Sequence, residues 1–168
     1  MLRKFTIVLA LAGITSTAVA TDFYAGIKTG NVLHWINSTR YQESVVGTGI
    51  FVGYSFNPNV AVEVEAINLG SLVSGAATVS AANLSIVGVH HANEQVSLFA
   101  KLGMVNSKED VSGIVANHTG ISIGGGAQYD FNPSFGMRLA YDYYPYGGEN
   151  NLSSASASWY SIAALFKF

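Results

Sequence analysis

From Tyr160 to Phe168 every second residue is apolar or aromatic: Tyr160, Ile162, Ala164, Phe166 and Phe168. The set between them is Ser161, Ala163, Leu165 and Lys167. A period of two marks a β-strand with two different faces. The same rhythm recurs upstream and predicts eight strands, over roughly Phe23–Thr29, Val45–Phe56, Val60–Leu69, Ala82–His90, Val96–Val105, Gly120–Phe131, Phe135–Tyr144 and Ser158–Phe168. Three connections are brief and built from turn-forming residues: Asn57–Asn59, His91–Gln95 and Asn132–Ser134. The other four are longer and polar, over about Gly30–Ser44, Gly70–Ala81, Asn106–Thr119 and Pro145–Ala157.

The two faces sort by charge. Choosing one face by its apolar residues alone gives Ala25 and Ile27, then Ile50, Val52 and Tyr54, then Val62, Val64 and Ala66, then Leu84 and Ile86. It continues with Leu98, Ala100 and Leu102, then Ile121, Ile123 and Ala127, then Met137, Leu139 and Tyr141, and ends with Ile162 and Phe166. None of these is ionisable as Lys, Arg, Asp or Glu. The charges within strands all take the opposite parity: Lys28, Glu63, Glu65, Lys101, Asp130, Arg138, Asp142 and Lys167. Small residues such as Gly26, Gly53, Ser85, Ser122, Gly124 and Gly136 share that parity. A greasy outside around a polar, glycine-rich inside inverts a soluble barrel. It is the arrangement demanded by lipid, where a lysine facing mid-bilayer costs about 2–4 kcal/mol. The alternation of short and long connections fits the same picture, with brief turns on the periplasmic side and longer loops outside. The fold class that follows is all-β: an eight-stranded antiparallel up-and-down transmembrane β-barrel.

Composition sharpens this. Only 11% of residues are charged, mean hydropathy is +0.32, and there are no cysteines. Thiol catalysis, Cys-ligated metals and disulfides are therefore excluded. Arg3 and Lys4, the apolar stretch Phe5–Ile14 and the small-x-small triplet Ala18-Val19-Ala20 form a secretory signal, with cleavage expected after Ala20. The chain then divides into a signal peptide at 1–20 and an outer-membrane barrel at 21–168. Without Arg3 and Lys4 the basic residues fall from eight to six against ten acidic ones, a net charge near −4. Nucleic acid is not an expected partner of such a surface. Aromatics gather toward strand ends as expected of interfacial girdles. Phe56, Tyr129, Phe131, Phe135, Phe166 and Phe168 mark the periplasmic side, and Trp35, Tyr41, Tyr143, Tyr146, Trp159 and Tyr160 the outer side.

The opening Asp22-Phe-Tyr-Ala-Gly-Ile-Lys-Thr-Gly30 resembles the aromatic–Gly–x–Lys–x–Gly first strand of the small eight-stranded outer-membrane barrels, the OmpA-like and opacity-type barrel domains. The resemblance spans the chain after the signal. It implies residence in a Gram-negative outer membrane among lipid and lipopolysaccharide. It also implies that Phe168, Phe166 and Tyr160 belong to the signal read by the barrel-assembly machinery during insertion. The reading stops at the eighth strand, so peptidoglycan anchoring is not carried over.

Candidate chemistry is sparse. The inward Lys28, Glu63, Glu65, Lys101, Arg138 and Asp142 are expected to form a lumen charge network, because a bore this narrow is filled by side chains and buried charge must be paired. Such a network is a polar plug or, as the resemblance suggests, a gate. Gly124-Gly125-Gly126 falls inside a strand and lacks the context of a phosphate loop. His90 and His91 sit at a periplasmic turn and point to opposite faces. His34 and His118 are expected as solvated loop residues. No catalytic residue, metal site or cofactor is expected, and the protein is not read as an enzyme. The function that follows is structural, or a surface interaction with a host or surface ligand through the extracellular loops. A small passive pore is the alternative, and a lipid A-modifying enzyme a weaker one.

Overall fold

The computed structural model describes residues 23–36, 41–72, 77–111, 114–146 and 155–168. The signal peptide expected at 1–20 lies outside the described residues. Eight strands follow one another in chain order: β1 (Phe23–Ile36), β2 (Tyr41–Asn57), β3 (Val60–Leu72), β4 (Ala77–His91), β5 (Val96–Val111), β6 (Ile114–Asn132), β7 (Phe135–Tyr146) and β8 (Ala155–Lys167). Each pairs antiparallel with the next, and β8 closes on β1 through Tyr24–Lys167 to Ile36–Ala155. Closure removes the free edges that an open sheet of this length would expose.

One end of the barrel is fixed by tight turns, each built on an asparagine. Asn57 Oδ1 accepts from Asn59 N, Asn93 Oδ1 from Gln95 N and Val96 N, and Asn132 Oδ1 from Ser134 N and Phe135 N, all within 2.7–2.9 Å. This local bonding is what selects Asn at such positions. Phe168 N reaches Phe23 O at 3.0 Å at the same end. Brief turns assign this end to the periplasm.

Burial alternates along the strands, and every residue of the apolar face defined above is exposed or half-exposed. Ile27, Ile86 and Leu102 are more than 60% exposed. In water such a belt would be untenable, and in acyl chains it is the solvated surface. Leu139 lies on the exposed face of β7 between Met137 and Tyr141. Leu139→Arg is expected to destabilise the inserted barrel by about 2–4 kcal/mol. Arginine at Asn117, on the outward face of β6 above the belt, should cost far less. Urea titration in lipid vesicles measures both, and equal effects would deny that the belt meets lipid.

Two expectations about the outer end are corrected. Three of the four long connections are largely strand: β1 runs on to Ile36, β2 begins at Tyr41, β3 runs to Leu72 and β4 begins at Ala77, and β5 and β6 pair up to Val111–Ile114. A crossing needs about 9–11 tilted residues, whereas β6 has 19. Above the lipid the outward face meets water, so its apolar run stops while the backbone ladder continues. The second correction is Trp159, expected in the outer girdle. It is wholly buried inside the barrel. Trp35 and Tyr160 are exposed as expected, and the side chains of Tyr41 and Tyr146 lie outside the described residues.

Candidate functional site

The interior is stacked in three tiers. Toward the periplasm, Tyr24, Phe51, Val87, Phe99 and Leu165 form an apolar layer. Toward the outside, Val32, Leu69, Val79, Val105, Tyr144 and Trp159 form another. Between them lie the ionised side chains, three cations (Lys28, Lys101, Arg138) and three carboxylates (Glu63, Glu65, Asp142), all at most 7% exposed.

The strands bring these six groups together. Lys28 Nζ lies 3.1 Å from Glu65 Oε1 and 3.1 Å from Asp142 Oδ2. Lys101 Nζ lies 2.7 Å from Glu65 Oε1, 2.9 Å from Asp142 Oδ1 and 3.4 Å from Glu63 Oε1. Arg138 Nη1 donates to Glu63 Oε2 at 2.7 Å. The cluster is electrically neutral, and each carboxylate has a second donor or cation. Removing two opposite charges from water is costly unless further hydrogen bonds serve their remaining atoms. Here the neutral groups do so. Tyr144 Oη accepts from Lys28 Nζ and donates to Glu65 Oε2 at 2.9 Å. Tyr24 Oη donates to Glu63 Oε2 at 3.1 Å. Asn83 Nδ2 donates to Glu65 Oε2, and Ser122 Oγ to Asn83 Oδ1 at 2.6 Å.

Aromatic faces complete the coordination of the cations. Arg138 sits over Phe99, Phe51 and Tyr24, with 4.7 Å to the nearest centroid. Lys28 Nζ sits 4.3 Å from the Trp159 ring. Desolvated contacts of this kind are worth about 2 kcal/mol. Glycine makes the rings fit. A Cβ at Gly53 would fall 2.0 Å from Tyr24 Cζ, one at Gly26 2.2 Å from Phe51 Cζ, and one at Gly49 3.2 Å from Trp159 Cη2. Each ring therefore lies where another strand has no side chain.

A polar chain leads from this cluster to the periplasmic rim. Arg138 donates to Gln128 Oε1, Gln128 Nε2 donates to Asp130 Oδ1 at 2.9 Å, and Asp130 meets Lys167 at 2.7 Å. Sequence parity placed Asp130 and Lys167 inward but gave no reason to connect them to Arg138. Tyr24, Asn83, Ser122, Gln128 and Tyr144 were missed as members. All have lumen parity, which was the available signal. Of the residues expected in an assembly signal, Tyr160, Phe166 and Phe168 are exposed, the first two on the outward side of β8.

The histidines differ from expectation. His34 is not solvated: it is fully buried and its Nε2 lies 2.9 Å from Leu69 O. It is buried because Gly70, with φ at +93°, breaks the β2–β3 ladder beyond Thr48–Asn68 and leaves Leu69 O for another donor. His118 is half-buried within β6, where its carbonyl, not its ring, accepts from Ser107 Oγ. His91 bridges two turns through Pro58 O and Ser97 Oγ, each at 2.8 Å. Among the described residues no group of acidic or imidazole side chains is arranged to hold a metal ion.

A closed ring of eight strands with an ionic core and an acyl-compatible wall is the architecture of outer-membrane barrels. The chain matches the family described as outer membrane protein beta-barrel domain over residues 5–168. It belongs to that family. Comparison with curated proteins gives no match. Among solved structures this outer-membrane barrel is similar to Neisserial surface protein A, with 18% identity, a TM-score of 0.71, and 90% of this chain and 100% of that one covered. It is similar to the N-terminal beta-barrel domain of Pseudomonas aeruginosa OprF, with 13% identity, a TM-score of 0.53 and coverage of 84% and 97%. A third is Ail, the attachment invasion locus protein of Yersinia pestis, in complex with the heparin analogue sucrose octasulfate, with 17% identity, a TM-score of 0.52 and coverage of 86% and 99%. At these identities the likeness concerns the fold. Family and fold together place the protein in the bacterial outer membrane.

Proposed function

We propose that this barrel is a sealed, non-conducting scaffold that holds a contact surface outside the outer membrane. The observation that carries the reading is the three-tiered interior. An ion crossing the lumen would have to pass an outer apolar layer holding Trp159 and Tyr144, a neutral ionic cluster, and an inner apolar layer holding Tyr24, Phe51 and Phe99, all of them buried. That disfavours the passive-pore alternative. The enzyme alternative is disfavoured by geometry: at the outer end Ser107 meets a backbone carbonyl of His118 and His34 meets Leu69 O, while His91, which does reach Ser97 Oγ, lies at the periplasmic turns, on the wrong side for lipid A. Catalysis would need a base within reach of a nucleophile.

What remains is the outer end, where rigid strands lift polar residues such as Asn106, Lys108, Asn117 and Thr119 above the lipid. Binding on barrels concentrates at such places. Ail is seen with a heparin analogue, but here Lys108 shares its strand with Glu109 and Asp110, which does not favour a polyanion. The exposed Tyr160, Phe166 and Phe168 are proposed to guide β8 during assembly.

A deletion strain tests this. Loss of adhesion to matrix-coated surfaces, restored by the native protein and not by one whose outer tips are exchanged, is expected with unchanged solute uptake and unchanged lipid A. Altered lipid A or uptake would overturn it. In the same strain, Phe166→Ala with Phe168→Ala should lower the amount of folded barrel in the membrane while refolding in detergent is unaffected.

A further inference from the structure

The lipid-facing wall is uneven. A groove of about 890 Å³ crosses its outward side from β7 over β8, β1 and β2 to β3. The register shows its course. Met137, Ala164, Ile27, Ile50 and Ala66 are direct partners from strand to strand and form one row. Thr29, Thr48 and Asn68 lie in register in the next row. Small side chains make the dip, with Ala164 and Ala66 in the first row and Thr29 and Thr48 in the second. On β4 and β5 the same face carries Leu84, Ile86 and Leu102 instead.

The two ends of the groove differ in chemistry. The lower end abuts Phe131 and Phe135, which flank the Asn132 turn in the periplasmic girdle. The upper end is Asn68, at the outer limit of the paired stretch of β2 and β3. Asn68 is exposed, and its Oδ1 already accepts from Gly70 N at 2.9 Å. Its remaining hydrogen-bonding capacity is that of an amide donor. A donor left without a partner in hydrocarbon is costly. Thr29 makes no such demand, because its Oγ1 donates to Gly47 O at 3.0 Å.

Dimensions limit the occupant. Five strands spaced about 4.8 Å apart make the groove about 19 Å long. Strand tilt sets it obliquely in the bilayer. One leaflet of a hydrocarbon core about 30 Å thick is about 15 Å deep. An oblique groove of this length therefore holds one acyl chain and not two end to end. Apolar burial does not favour one chain over its neighbours in a bilayer. Shape and the Asn68 donor do.

We propose that this groove seats one acyl chain of lipopolysaccharide, the lipid of the outer leaflet. The chain enters at Asn68, which donates to an oxygen near its head, runs over Thr48, Thr29 and Ala164, and ends against Phe131 and Phe135. A phospholipid of the inner leaflet would enter at the aromatic end, where these rings offer its carbonyls no donor.

Native mass spectrometry of the whole protein, released from detergent micelles, tests this with lipid A and phosphatidylethanolamine offered at equal concentration. One lipid A adduct per barrel is expected, saturating at a single equivalent and outcompeting the phospholipid. Thr48→Phe with Ala66→Phe fills the groove and should abolish the adduct. Ala100→Phe, on the exposed face of β5, should leave it unchanged. Asn68→Leu should lower retention by about threefold to tenfold, the worth of one hydrogen bond. Heat-modifiable gel mobility reports that each variant is folded, and Asn68→Leu carries the test if the double variant is not. Four results would overturn the proposal: adducts that accumulate without saturation, as an annulus of ordinary lipid gives; equal retention of phospholipid; lipid A retained when the groove is filled or Asn68 replaced; or a barrel dimer in place of the adduct. None of them bears on adhesion through the outer tips.

Discussion

Glu63→Lys should leave the barrel unable to hold its native packing. The carboxylate it removes is fully buried, pairs with Arg138 at 2.7 Å and Lys101 at 3.4 Å, and accepts from Tyr24. Removing one partner of a buried pair costs about 3–5 kcal/mol, because the other charge is left uncompensated. Reversing the sign adds repulsion among three cations in a space where screening by salt is weak. The expected readout is loss of the compact, heat-modifiable species on gels, or a large fall in the urea midpoint. Any fraction that inserts should conduct, because the central tier can no longer neutralise itself. A variant with native midpoint and no conductance would show that the ionic tier neither stabilises nor seals. Glu63→Gln should lie between, since its carbonyl oxygen can still accept from Tyr24 and Arg138 while the charge that balances Arg138 and Lys101 is lost.

Trp159→Ala is the second large effect. Truncating a fully buried indole costs about 3–5 kcal/mol through lost contacts and the cavity left behind. The loss here extends to Lys28, whose ammonium lies on the indole face. Gly47 and Gly49 flank the ring and offer nothing to fill the gap. The outer apolar tier should then admit water down to Lys28, giving small, brief current steps in planar bilayers where the native protein gives none. Trp159→Phe should retain most of the stability and stay silent. If the alanine variant were as stable as the native chain, the outer tier would not be a structural layer.

Much of this architecture could be read from alternation. Parity placed Lys28, Glu63, Glu65, Lys101, Arg138 and Asp142 on one face because lipid permits no other arrangement. The asparagine turns could be read for a local reason, since each bonds its own backbone. Other features obey longer-range causes. Trp159 has lumen parity, but only the glycines on β2 and the ammonium on β1 show why a tryptophan belongs there. His34 is buried because a bulge at Gly70, on another strand, frees a carbonyl. Strand ends ran past their expected limits because the apolar signal ends with the bilayer while backbone pairing does not.

The ionic tier has a bearing on how the sheet comes to close. Lys28 on β1 meets Asp142 on β7, 114 positions along the chain, while Glu65 on β3 binds cations from β1 and β5. None of these ion pairs joins adjacent strands, so each forms only once the sheet has curled back across the bore. An arc lacking β7 would leave Glu63 without Arg138, and Lys28 and Lys101 without Asp142. The pairs thus reward curvature of the sheet and not the pairing of neighbours within it.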